Sequence, residues 1–248
     1  MHNLGQAVAY AVEACKRQFR QFIFSISISG SFARFIRWDR AGAIISESFN
    51  IREKPQLLCR FLWYFSQLTD AQRGYDLTVQ PASDTEEKLF RETITAHIKT
   101  QLSVNNEELE KLVAEHYEKG AVTVIHLPPE SDPANISASE RYIVSRPIVI
   151  PLSVAGRGTR TYWAVRSIAS EGPGCPPAKV VLLKDTWRYG PLVPGEFDCE
   201  GKILRELGAN GIRNVPRVLY HADVPNVDVQ YEHDAPSLMY RGNASIIV

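Results

Sequence analysis

The sequence predicts an α+β protein in two parts. A sheet-and-helix extension occupies 1–127, and a lobe of antiparallel strands with a single helix occupies 140–248. Three observations predict it. Short runs of alternating polarity, such as Phe22-Ile23-Phe24-Ser25-Ile26-Ser27-Ile28-Ser29, read as strands with one apolar face. Runs with apolar residues at helical spacing, such as Leu57, Leu58, Phe61, Leu62, Phe65 and Leu68, read as amphipathic helices. Between the two parts Pro128-Pro129-Glu130-Ser131-Asp132-Pro133 breaks every regular pattern and marks a linker over 128–139.

Residues 4–20 carry Leu4, Ala7, Val8, Ala11, Val12 and Cys15 at helical spacing. Lys16, Arg17 and Arg20 follow at the end where a helix dipole favours cations. In the strand at 22–30, Phe22, Phe24, Ile26 and Ile28 share one parity, with Ile23 as an extra apolar residue. Ala33 to Trp38 continues it, and Asp39-Arg40-Ala41-Gly42 turns the chain into a strand over 43–49. Pro55, whose missing N–H costs nothing in a first turn, opens the next helix. That helix is expected to cover Phe22, Phe24, Ile26, Ile28, Phe35 and Ile44, so that Leu62→Ala loses about 2–5 kcal/mol of packing. Thr69 with Gln72, and Ser83 with Glu86, are capping-box patterns; the second opens a helix to about Gln101. Asn106 is expected to cap a helix ending near Gly120, and a strand follows at 121–127. Beyond the linker, 142–154 contains Pro147 and Pro151 and reads as interrupted or edge strand. Strands are expected at 161–168 and 218–221, while residues 224–248 give only weak signals.

Lys plus Arg number 28 against 28 Asp plus Glu, so no global field draws in nucleic acid or an anionic membrane. The apolar stretches fall short of the roughly 20 residues of a membrane helix, and the start lacks the layout of a signal peptide. Cys15, Cys59, Cys175 and Cys199 form no C-x-x-C, which fits free thiols in a reducing compartment. An intracellular protein, cytoplasmic or nuclear, is expected. His2, His97, His116, His126 and His233 show no metal-ligand spacing, so no structural metal is expected.

The chemistry centres on Lys179 to Arg188, K-V-V-L-L-K-D-T-W-R. Four apolar residues run into Lys184 without alternation, which predicts a strand buried on both faces with an ammonium at its end. Gly156-Arg157-Gly158-Thr159-Arg160 precedes it as a glycine turn. An amphipathic helix over Glu196–Leu207 follows, with Glu200 sixteen residues after Lys184. A nucleoside triphosphate needs backbone N–H groups near its phosphates, a positive charge between them, and a group that orients that charge. Gly156 and Gly158 would let the backbone approach without a Cβ, Lys184 would meet the α and β phosphates, and Glu200 would orient it. Alone, each sign is weak: G-x-G is most often a hairpin turn, and a strand-end lysine is most often solvated. Glu196, one turn earlier beside Gly195, is a rival to Glu200. Order and spacing together carry the reading. Strand, glycine turn, strand, lysine strand and glutamate helix is the order of the nucleotide-binding lobe of a protein kinase. His221-Ala222-Asp223 is not the catalytic loop H-R-D-x-x-x-x-N, because Asp228 stands where that loop has Asn, and no D-F-G occurs.

At these residues the chain resembles the fungal-type protein kinase family. The resemblance begins in R-Q-F-I-F-S-I-S-I-S-G and is strongest in R-W-D-R-A-G-A-I-I-S-E-S-F (37–49). It continues in L-L-C-R-F-L-W-Y-F (57–65) and Gln72-Arg73-Gly74-Tyr75-Asp76. Later come G-R-G-T-R (156–160), L-L-K-D-T-W-R (182–188), E-G-K-I-L (200–204) and N-V-P (214–216), so nearly the whole chain is covered. The resemblance implies a kinase-like fold behind an N-terminal extension, binding of ATP with Mg²⁺, and a Ser/Thr-type phosphotransferase. Carried over, Gly156 and Gly158 fall on the phosphate loop, Lys184 on the strand lysine and Glu200 on the helix glutamate. Two positions depart: Thr161 replaces a third glycine, and Leu182 stands where a small alanine lies beneath adenine. The sequence stops before a hinge, catalytic loop and metal-binding aspartate arrive, so a partial N-lobe with weak ATP binding and no transfer by itself is expected. The alternative is a non-enzymatic interaction module, or truncated pseudokinase fragment, that takes a protein partner through the extension.

Overall fold

The computed structural model describes residues 2–127, 140–167, 178–189, 199–222, 239–241 and 244–247; the linker and Glu196 lie outside them. Strands β1 (Phe22–Ser29) and β2 (Phe32–Asp39) pair antiparallel with Ile26 opposite Phe35, and β3 (Gly42–Ile45) and β4 (Phe49–Asn50) both add to β2. Period two sends Phe24, Ile26 and Phe35 to one face and Ile23, Ile36 and Trp38 to the other. The first face meets α2 (Pro55–Gln67) through stacked rings, with Phe35 and Phe61 centroids 4.3 Å apart and Phe24 edge-on to Phe61 and Phe65. The second face meets α1 (His2–Arg17), which buries Ala11 and Cys15 against Ile36 and Trp38. The small sheet therefore has both faces covered rather than one, because Ile23 and Trp38 on the second parity need their own cover. Ile28, Ile44 and Leu62, expected in this core, are exposed. The contact line of α2 runs through Leu58, Phe61 and Phe65 and leaves Leu62 at its edge.

The chain continues through β5 (Val79–Pro81), α3 (Asp84–Gln101), α4 (Asn106–His116), β6 (Thr123–Leu127), β7 (Glu140–Val144), β8 (Pro147–Val149) and β9 (Arg160–Arg166). Then come β10 (Val180–Asp185), β11 (Trp187–Tyr189), α5 (Glu200–Ala209), β12 (Val218–Ala222), β13 (Met239–Arg241) and β14 (Ala244–Ile247). Eight of these strands form one antiparallel sheet in the order β12-β14-β10-β9-β7-β6-β5, with β8 also on β9. The fold is α+β and kinase-like. Residues 244–247, weak in sequence, fill the gap between β10 and β12.

Helices α3 and α4 cover one face, packing Phe90, Ile94, Ile98, Leu109 and Val113 on Val124, Ile143 and Val165. Leu127, Tyr142, Tyr162 and Leu183 form the core of the other face, with Phe19 and Tyr220 against them. Ser83 and Glu86 make the expected capping box. Asn105, not Asn106, caps α4, accepting from the Glu108 N–H at 2.9 Å; the cap must be extended, and Asn106 is already helical. Because β6 pairs with β7 from Thr123–Val144 to Leu127–Glu140, the sheet runs straight across the proline-rich segment, and 128–139 separates no core from another.

Candidate functional site

Burial alternates along β10: Val181, Leu183 and Asp185 are buried, while Val180, Leu182 and Lys184 are intermediate. The expected burial on both faces is not found, because α3 and α4 reach Val180 but leave Leu182 and Lys184 half open. Lys184 donates to the Glu200 carboxylate, the lysine side chain 27% exposed and the glutamate 43%. Glu200 is the first residue of α5, in the turn where the helix dipole favours a carboxylate. Gly201 lets that turn settle on β12, since the His221 side chain stands where a Cβ would be. The Cys199 thiol, 3.7 Å from His221 Nδ1, completes the contact.

Gly156 and Gly158 have φ of 93° and 50°, in the left-handed region that glycine adopts without strain. The Gly156 N–H donates to the Arg40 carbonyl at 2.8 Å. The Arg40 guanidinium lies where a Cβ on Gly158 would stand, and donates to the carbonyls of Ser153 at 3.1 Å and Val154 at 3.0 Å. On the lysine side the Trp187 N–H donates to the Arg157 carbonyl at 2.8 Å, and the Thr159 and Thr186 hydroxyls meet at 2.9 Å. Arg160 donates to the carbonyl of Cys15 and, at 2.7 Å, to that of Gln18, satisfying groups left over at the end of α1. Asp185 is buried near both arginines; burial pushes its carboxyl up while Arg160 and Arg40 pull it down. With Arg20 and Asp76 these residues line a cavity of about 10 Å³. That is room for no more than a water, so the cluster is a structural tie rather than a ligand site.

On the face that carries Lys184, Leu182 lies opposite Trp163. Trp163 stands two residues past Thr161, where the pattern G-x-G-x-x-G-x-V has its valine; counting from Gly156 would have singled it out. Its indole stacks on His116 with centroids 3.7 Å apart and planes at 16°, and His97 meets it edge-on at 5.1 Å. Burial holds the His116 imidazole below its ordinary range, so this ring is neutral at pH 7. Among the described residues no group of His, Cys, Asp and Glu could hold a metal, and no helix is long and apolar enough to cross a membrane.

The structure thus brings Lys184 and Glu200 together and sets the glycine turn beside the same strand end. A family profile described as fungal protein kinase matches residues 2–241. No curated protein and no solved structure matches. Since the match runs from the first helix through β13, this chain belongs to the fungal protein kinase family.

Proposed function

We propose that residues 140–248, on the sheet they share with β5 and β6, carry an ATP-binding site and that residues 1–248 alone do not transfer phosphate. The Lys184–Glu200 pair carries the reading. A carboxylate that holds an ammonium at a strand end presents it in one direction, which is what contact with the α and β phosphates requires. A partly exposed pair contributes only about 0–1 kcal/mol to stability, so orientation accounts for it better than folding does. Gly156 and Gly158 would shape the turn beside the phosphates, and ATP with Mg²⁺ would supply the phosphoryl group.

The fit is close on the base side. Leu182 and Trp163, with His116 behind the indole, leave less room than alanine and valine. A base covered on one side only stays wet, so affinity is weak. Transfer also needs an aspartate and an asparagine for Mg²⁺ and an aspartate to orient the hydroxyl. Residues 1–248 contain neither D-F-G nor H-R-D-x-x-x-x-N, so those groups must come from outside them. With Mg-ATP we expect little thermal shift, broadened ATP resonances, weaker broadening in Lys184→Met, and no turnover. Broadening unchanged by Lys184→Met would remove the site, and radiolabelled phosphate transfer lost in that variant would refute the inactive half.

A second reading, a non-enzymatic interaction module, is favoured by α2, which leaves Leu57, Leu62, Trp63 and Tyr64 exposed. Absence of any ATP contact in the wild type would leave that reading in place.

A further inference from the structure

Arg40 sits between β2 and β3, more than 110 residues before the backbone it grips. Its carbonyl accepts from Gly156, its guanidinium donates to Ser153 and Val154, and the same group fills the space beside Gly158. All of these contacts are with backbone, so they fix the path of the chain rather than one side chain. Left unsupported, a turn with two glycines has more conformations to lose when a ligand orders it. Held in this way, the turn is ordered before the ligand arrives, which lowers the cost of binding. The guanidinium is itself buried: Arg40 is 4% exposed, and the buried carboxylate near it, Asp185, directly follows Lys184. D-R-x-G in the extension and G-R-G in the lobe are therefore packing partners.

We propose that Arg40 is a positioning residue for the glycine turn, which makes the N-terminal extension part of a site for the phosphates of a nucleoside triphosphate. This rests on the ATP-binding reading above. The test compares residues 1–248 with Arg40→Ala, Arg40→Lys and Gly158→Ala, the last of which displaces the guanidinium while keeping it. One readout is native tryptic cleavage after the exposed Arg157, followed by mass spectrometry. Cleavage should be about tenfold faster in Arg40→Ala and Gly158→Ala, with partial recovery in Arg40→Lys, whose ammonium can donate but cannot cover Gly158. The other readout is affinity for Mg-ATP against adenosine by ligand-observed NMR. ATP should weaken by about tenfold while adenosine is unchanged, because only ATP reaches the turn. Unaltered cleavage and ATP affinity in both Arg40→Ala and Gly158→Ala would overturn the proposal. So would an equal loss of ATP and adenosine with a lowered Tm, which assigns Arg40 to stability alone. If the wild type binds neither ligand, the ATP-binding reading and the phosphate role fail together, and cleavage alone decides whether Arg40 holds the turn.

Discussion

Glu86 shows what one buried side chain does for this fold. Burial pushes its carboxyl up, but the Ser83 N–H and hydroxyl, the Ser167 hydroxyl and the Arg141 guanidinium all donate to it. Together they hold its pKa at about 2 against an ordinary 4.5. The unfolded chain therefore binds more protons between those values. The stabilisation is complete above pH 4.5 and is lost as the pH falls toward 2. It amounts to about 3 kcal/mol at neutral pH. Urea midpoints measured from pH 5 to pH 2.5 should fall steeply in the wild type and more gently in Glu86→Gln; identical slopes would contradict this. A milder loss begins earlier, below about pH 6.5, where the unfolded chain protonates His116 and His126 before the folded one does, since burial lowers both. The capping box itself is legible in the sequence, because Ser83 and Glu86 are three residues apart. Arg141 and Ser167, 55 and 81 residues away, are not, since no local pattern announces a long-range donor.

At the scale of elements, periodicity finds strands and helices but not what lies over them. The alternation in β1 is plain in the sequence, yet α1 on its second face follows only from the position of Ile36 and Trp38 across the pair. In α2, the sequence marks Leu58, Phe61, Leu62 and Phe65 alike, whereas the rings of Phe24 and Phe35 choose Phe61 and Phe65. Phe61→Ala should cost about 2 kcal/mol, below the range for a fully buried phenylalanine because its site is half open. Leu62→Ala should stay within about 0.5 kcal/mol, as surface changes do. Equal losses in urea denaturation would show that α2 sits differently on the sheet. The approach of Lys184 to Glu200 and the place of the glycine turn beside β10 were legible because these segments follow one another in the chain. Trp163 and Arg40 were not, because one needed a count from the glycines and the other a contact across the fold.

The whole molecule depends on a sheet that ignores the proline-rich segment. Ile125 and Leu127 from before it share a core with Tyr142 and Leu183 from after it. Phe90 and Ile94 of α3 cover Ile143 and Val165 of the following part. Residues 140–248 on their own would bare the apolar face that α3 and α4 now keep dry, and within residues 1–127 α3 and α4 would lose Ile143 and Val165 from the face they cover. Proline breaks local pairing, so the sequence reads as divided there; the antiparallel partner of β6 comes after the break, and only tertiary pairing shows it. Arg40 and Arg160 tie the same two parts together at the glycine turn. The two pieces, cut within 128–139 and expressed separately, should therefore each be insoluble or molten. Coexpressed, they should copurify as a one-to-one complex that melts in a single transition, with tryptic cleavage after Arg157 as slow as in the intact chain. A well-dispersed NMR spectrum from either piece alone would show instead that each part carries a core of its own and that the shared sheet is only a junction.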